Sequence, residues 1–189
     1  MLRPLLAAGL AAALAFLAAP PAQAGPPEIN YSQFRRIANE IEPYRQTRLI
    51  DWQGFLAASS DPDVLILDAR SERQFAAGHI AGAINVPLPE FSVDRLEEVI
   101  GRQDRPILIY CNNNFVNNRP PVISKAGPVA LNIPTFIHLY AYGYRNIREL
   151  GEVVDLDDPR IPWVSDAGAP RQSRADRPEP ASARGARNR

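Results

Sequence analysis

Apolar and polar positions repeat with two periods along this chain, and the switches between them divide its middle into helices and strands. Phe34, Ile37, Ala38 and Ile41 fall three and four apart, one face of a helix on the outside of the domain that Pro43 is expected to stop. Arg48-Leu49-Ile50 reads as a short strand, after which Asp51 caps a helix that buries Trp52, Phe55 and Leu56. Beyond the break at Asp61-Pro62-Asp63, Val64-Leu65-Ile66-Leu67 is a continuous apolar run of the kind found in strands covered on both faces. Ser71 to Gln74 has the capping-box pattern of a short helix, with Gly78 where a left-handed terminator belongs. Ala83-Ile84-Asn85-Val86 is the next strand, closed by Pro87. Val93, Leu96 and Ile100 mark an amphipathic helix that ends at Gly101. Pro106-Ile107-Leu108-Ile109-Tyr110 is a further buried strand and runs directly into Cys111. A loop of about twenty residues follows, with Arg119-Pro120-Pro121 and Gly127-Pro128 in it. Asn132 then caps a last helix over Ile133 to Tyr142, with Pro134 in its first turn. Gly143 ends it, and residues 145–150 lead to a final strand. Strands alternating with helices at this spacing define an α/β domain, an open parallel sheet with helices on both faces.

The two ends differ in kind from this core. Residues 1–24 read as a secretory signal peptide: Arg3 is the positive start, Leu5 to Ala19 the apolar stretch, and Ala22-Gln23-Ala24 a small-x-small cleavage site. The apolar stretch has 15 residues, short of the roughly 20 a spanning helix needs, so an uncleaved membrane anchor is the weaker alternative. The expected product is exported, periplasmic or secreted, with no stable membrane insertion after cleavage. Residues 25–45 form an N-terminal helical extension and 46–164 the domain. The segment 165–189 has six Arg, three acidic residues and no large apolar side chain, which predicts a disordered tail of net charge +3. Across all 189 residues, 21 basic and 21 acidic side chains cancel, so nucleic acid is not an expected partner.

The single Cys excludes an intramolecular disulfide and any Cys-rich zinc site, and neither His has a partner pattern for a metal. No cofactor is implied, because nothing resembles a phosphate-binding glycine loop or a dinucleotide fingerprint. Cys111 itself follows the carboxyl end of an interior strand, where open α/β sheets bind ligands. Loop N–H groups turned inward there form an anion-binding concavity that favours a thiolate, the nucleophilic form. A lone Cys at a strand end is equally a small buried hydrophobe, and position alone leaves both open.

The chain also resembles the rhodanese-like domains. Leu67-Asp68-Ala69-Arg70 and the stretch Phe75-Ala76-Ala77-Gly78-His79-Ile80-Ala81-Gly82-Ala83-Ile84-Asn85-Val86-Pro87 are similar to that family's central signature. Tyr110-Cys111 resembles its active-site position, and Leu139, Gly143-Tyr144-Arg145-Asn146-Ile147 and Glu149-Leu150 its closing helix and strand. The resemblance covers roughly residues 46–151. It implies a five-stranded parallel sheet flanked by helices, and transfer of sulfane sulfur from a small-molecule donor to a thiophilic acceptor through a persulfide on Cys111. A protein thiol is a further candidate partner, since Cys111 has no internal resolving partner. Members active on thiosulfate commonly place Arg or Lys where this chain has Val116, and the phosphatase and arsenate-reductase branch places its Arg where this chain has Asn117.

The expected substrate-binding set is therefore Asn112, Asn113, Asn114, Phe115 and Val116, with Arg119, the first cation of the loop, folding back on an anionic donor. The three Asn are either neutral donors to a persulfide or loop formers. Asp68 and Arg70 are expected as supports that tie loops together near the site, and His79 as a hydrogen-bonded scaffold residue. Phe136, Tyr140, Tyr142 and Tyr144 form an aromatic cluster, in the core or on a pocket wall. The rival function is a non-catalytic rhodanese-like module that docks a partner on residues 112–127.

Overall fold

The structure is a computed structural model that describes residues 29–166. The expected signal peptide at 1–24, and all but the first two residues of the expected tail, lie outside the described residues. The elements run in the order α1 (Tyr31–Gln46), β1 (Leu49–Ile50), α2 (Trp52–Ser59), β2 (Leu65–Asp68), α3 (Glu72–Ala77), β3 (His79–Ile80), β4 (Ile84–Asn85), α4 (Val93–Ile100), β5 (Ile107–Tyr110), α5 (Asn132–Ala141), β6 (Ile147–Leu150) and β7 (Trp163–Val164). Strands β1, β6, β5, β2 and β4 lie side by side in that order in one parallel sheet flanked by helices, as the residue pattern and the resemblance imply.

Both faces of the sheet are covered, which is why its inner strands are apolar without alternation. On one face Ile41 of α1, Leu96 and Ile100 of α4, and Phe136 and Leu139 of α5 pack on Leu65, Leu67, Ile107, Ile109 and Ile147. On the other, Phe55 of α2 meets Ile66, Leu108, Tyr110 and Leu150, joined by Phe115 and Val122 from the long loop after β5. Each such fully buried side chain contributes about 1.5–3 kcal/mol.

Three local expectations are corrected. Helix α1 does not stop at Pro43 but continues to Gln46. Tertiary contacts hold its last turn: Tyr44 packs edge-on to Phe136, its hydroxyl donates to the Arg145 carbonyl, and Arg45 reaches Glu149. Gly78 is not left-handed; its backbone is extended. Glycine is needed there for close approach, because a Cβ would overlap the Trp163 indole, 2.8 Å from Cε2. That indole arrives on β7, which pairs antiparallel with β3 in a two-stranded ribbon that the sequence pattern does not predict. Finally, Asn132 is the first residue of α5 and not its cap. Leu131 occupies the cap position without a side-chain hydrogen bond, and the Asn132 carboxamide turns into the domain.

Candidate active site at the end of the central strand

The parallel register brings the carboxyl ends of three strands level. Asp68 pairs with Tyr110 across β2 and β5, and Ile109 with Glu149 across β5 and β6. Cys111 leaves β5 one residue later and is 1% exposed. It opens a single 3-10 turn over Asn112–Asn114. The thiol lies in a cleft of about 380 Å³ whose lining includes Arg45, Asn113, Asn114, Asn132, Ile133 and Glu149.

Backbone N–H groups of Asn132, Asn113 and Leu131 interact with the sulfur and favour its thiolate. The Asn114 N–H closes the 3-10 turn on the Cys111 carbonyl at 3.1 Å, while the Asn114 Oδ1 accepts from the Cys111 N–H at 2.9 Å. The cradle is thus shared between the 3-10 turn and the N-terminus of the ten-residue helix α5, whose unpaired N–H groups suit an anion. It does not extend along the loop to Val116. The Phe115 N–H bonds the Asn112 carbonyl and the Val116 N–H the Val154 carbonyl. Phe115 is a buried core ring, and the Val116 side chain is exposed. In the resting site burial outweighs the cradle: desolvation pushes the Cys111 thiol above its ordinary value, and the Glu149 charge adds to the effect.

The asparagines are largely occupied by closing the loop. Asn113 donates to the Lys125 carbonyl at 2.6 Å and accepts from the Lys125 N–H at 3.0 Å. Asn114 donates to the carbonyls of Leu150 and Glu152. Its Oδ1 accepts from Cys111 and from Asn132 Nδ2, so its carboxamide is fully used. Asn112 Oδ1 lies 3.5 Å from Arg70 Nη1. Further along, Asn117 accepts from the Leu156 N–H, and Asn118, at φ 42°, accepts from the Ser124 N–H. Arg119 lies apart from the cleft: its guanidinium meets Asp157 at 2.6 Å on the exposed side of the loop.

Asp68 and Arg70 form a buried knot beside the site. Arg70 is 1% exposed and grips Asp68 through Nη2 at 2.5 Å and Nε at 3.0 Å. Its Nη2 also donates to the Gly78 carbonyl. The Tyr110 hydroxyl donates to Asp68 at 2.6 Å and accepts from the Ile80 N–H. The guanidinium lies 5.6 Å from the ring centres of both Tyr110 and Trp163. Burial, with the Asp68 charge, drives the Tyr110 phenol well above its usual range and keeps it a donor. His79 stacks on Phe75 at 3.6 Å, with Nδ1 2.9 Å from the Phe75 carbonyl. Of the aromatic cluster, Phe136 and Tyr144 are core, and none of the four lines the Cys111 cleft.

The sequence pattern passed over Arg45, Glu149 and Asn132. Arg45, near the end of α1, binds Glu149 in bidentate fashion, Nε to Oε2 and Nη2 to Oε1, both at 2.5 Å. These bonds hold the Arg45 guanidinium above its ordinary value. Glu149 is 3% exposed and also accepts from Asn132 Nδ2 at 3.1 Å. One signal was readable: Glu149 lies two residues from the buried Ile147, on the same face of β6, and a charge at an inward position needs a partner. Among the described residues no cluster of His, Cys, Asp and Glu could hold a metal, and no helix is long and apolar enough to cross a membrane.

Residues 51–150 match the rhodanese-like domain family, more than half of the chain. The chain belongs to that family. It is 32% identical over 114 residues to an HTH-type transcriptional regulator of Mycobacterium tuberculosis, covering 57% of this chain and 40% of the regulator. It is 37% identical over 54 residues to an uncharacterized protein of Bacillus subtilis, covering 29% of this chain and 40% of that protein. The matches thus span about two fifths of each relative's length. Among solved structures, a rhodanese-like domain from Anabaena sp. superposes with a TM-score of 0.46 at 18% identity, covering 75% of this chain and 98% of the other. A rhodanese with anions from Escherichia coli gives 0.36 at 22% identity, covering 54% and 98%. Arg45 lies outside the matched family region.

Proposed function

We propose that this chain is a rhodanese-like sulfurtransferase that carries sulfane sulfur as a persulfide on Cys111. The observation that carries this reading is the lone thiol lining a cleft at the carboxyl end of the central strand, beside the start of helix α5, where the backbone N–H groups of Asn113, Leu131 and Asn132 favour its thiolate. Cys111 attacks the outer sulfur of a donor R–S–S⁻. The donor's S–S bond breaks, its electron pair stays on the inner sulfur, and that sulfur takes the proton the thiol gives up. The products are Cys111–S–S⁻ and R–SH. A thiophilic acceptor, a small molecule or a protein thiol, then removes the outer sulfur and Cys111 regains a proton. The N–H groups of Asn113, Leu131 and Asn132 hold the negative sulfur, a neutral cradle in place of a loop cation. The leader pattern of Arg3, Leu5 to Ala19 and Ala22-Gln23-Ala24 supports the reading that this chemistry belongs to an exported protein, periplasmic or secreted.

Intact mass of the protein before and after exposure to thiosulfate, and separately to a persulfide donor, tests the reading. A gain of one sulfur that cyanide removes, absent in Cys111→Ser, is the expected result. No gain with either donor, from a thiol that still alkylates, refutes it. That outcome favours the second reading, a partner-docking module, for which the exposed apolar side chains of Val116, Ile123 and Val129 on the long loop are the supporting observation. There Cys111→Ser leaves partner binding intact and deletion within the loop removes it.

A further inference from the structure

The cleft at Cys111 holds a pattern of charge that a simple anion does not match. Arg45 and Glu149 both line it, and they face each other as a closed ion pair with two bonds at 2.5 Å. The Arg45 side chain is 29% exposed and the Glu149 side chain 4%. An anionic donor that drew Arg45 away would strand the Glu149 carboxylate in a buried place, leaving its charge with only the neutral Asn132 amide. A zwitterion does not have this difficulty. If its carboxylate takes Arg45 and its ammonium takes Glu149, every charge keeps an opposite partner.

A separate observation points the same way. Asn132, also in the lining, is 4% exposed and spends both Nδ2 hydrogens on Asn114 and Glu149, while its buried Oδ1 takes no hydrogen bond from the described residues. A buried acceptor without a donor is uncommon in a folded protein, and here it belongs to the same side chain that binds Glu149. An ammonium group beside Glu149 has three hydrogens and can supply the missing one.

Resting on the sulfur-transfer reading above, we infer that the donor is a small α-amino-acid persulfide, with its carboxylate on Arg45, its ammonium shared between Glu149 and Asn132 Oδ1, and its outer sulfur presented to Cys111. The reaction is Cys111–SH plus R–S–S⁻ giving Cys111–S–S⁻ plus R–SH. It needs no outside oxidant, because the donor's own S–S bond supplies the sulfane sulfur, and the leaving group is the free amino-acid thiol. Arg45 and Glu149 are positioning residues in this scheme. Because Arg45 comes from the helix before the matched family region, the amino-acid specificity belongs to this chain's extension.

The test is a comparison of donors with the same sulfur chemistry on the full chain. Cysteine persulfide, its analogue without the ammonium (3-mercaptopropionate persulfide), its analogue without the carboxylate (cysteamine persulfide) and thiosulfate are each mixed with the protein, and the rate of one-sulfur mass gain is followed. Cysteine persulfide should react about tenfold or more faster than either analogue, the worth of one charged hydrogen bond. In Glu149→Gln the advantage over the ammonium-free analogue should disappear, and in Arg45→Gln the advantage over the carboxylate-free analogue. Equal rates for the three persulfides, or thiosulfate fastest, overturn the inference and leave sulfur transfer standing. No mass gain with any donor defeats the sulfur-transfer reading itself. The wild-type ranking decides the matter even if one variant fails to fold.

Discussion

Replacing Arg70 with Met tests how the floor of the site is held together. Methionine keeps an unbranched apolar side chain between the Tyr110 and Trp163 rings but removes the guanidinium. Asp68, fully buried, then loses its bonds to Nη2 and Nε and keeps only the Tyr110 hydroxyl, the Arg70 backbone N–H and no opposite charge. The Gly78 carbonyl loses its donor as well. Breaking one side of a buried ion pair costs about 3–5 kcal/mol, most of it from the charge left behind. That is a large part of the roughly 5–15 kcal/mol that holds a domain folded. With a urea slope of about 2 kcal/mol per molar, the unfolding midpoint followed by circular dichroism should fall by about 2 M. The companion variant Asp68→Asn/Arg70→Met removes the stranded charge as well. It should recover about 1–3 kcal/mol relative to the sum of the two single variants. A midpoint in Arg70→Met within about 0.3 M of the parent, or a double variant no better than the sum, would refute the argument that the carboxylate depends on this partner.

Gly78→Ala should cost about 1–3 kcal/mol, because the new methyl group displaces the Trp163 ring and loosens the β3–β7 ribbon; a thermal melt with unchanged midpoint and tryptophan emission contradicts this. Alkylation of Cys111 by iodoacetamide should rise with pH through a midpoint above the ordinary thiol value of 9.0, since burial and the Glu149 charge both disfavour the thiolate. Glu149→Gln removes a negative charge and should move that midpoint downward; an unchanged or higher midpoint counts against the electrostatic account. The same shift bears on stability. The folded chain keeps the thiol proton to a higher pH than the unfolded chain, so the thiol's contribution is present below the ordinary value and declines as pH rises above it. Urea midpoints for wild type and Cys111→Ala should therefore diverge between neutral pH and about pH 10, with the wild type losing more; parallel curves speak against it.

Most of the sheet was legible because its causes are local. Continuous apolar runs at 64–67 and 106–110 mark strands that are covered on both faces, and Asp51 and Ser71 sit where helix N-caps must sit. The position of Cys111 at the end of an interior strand was legible for the same reason, since the apolar run at 106–110 marks a strand covered on both faces and runs directly into it. What local pattern could not supply was the identity of the groups around the sulfur. Arg45 and Glu149 are 104 residues apart, Asn132 and Asn114 18 apart, and no periodicity relates them. Pro43 illustrates the same limit from the other side: its intrinsic preference is to end a helix, yet packing of Tyr44 on Phe136 and the Arg45–Glu149 pair carry α1 past it. The expectation that Arg119 folds back on the site assumed an open loop. In the structure asparagine side chains pin that loop to its own backbone and to residues 152–156, and Arg119 is left to pair with Asp157.

By itself, then, the sequence determined the α/β class, the succession of helices and of the five main-sheet strands, the buried strands and the placing of one thiol at a strand's carboxyl end, because propensity, capping and hydrophobic period act within a few residues. Only the tertiary structure decided which backbone N–H groups face the sulfur, and that a helix outside the family region lends an arginine to the cleft. It also decided that Glu149, a charge on a buried strand position, is paired and not expelled. Those outcomes depend on which surfaces meet when the sheet closes, and a buried polar group takes whichever partner the packing brings within reach.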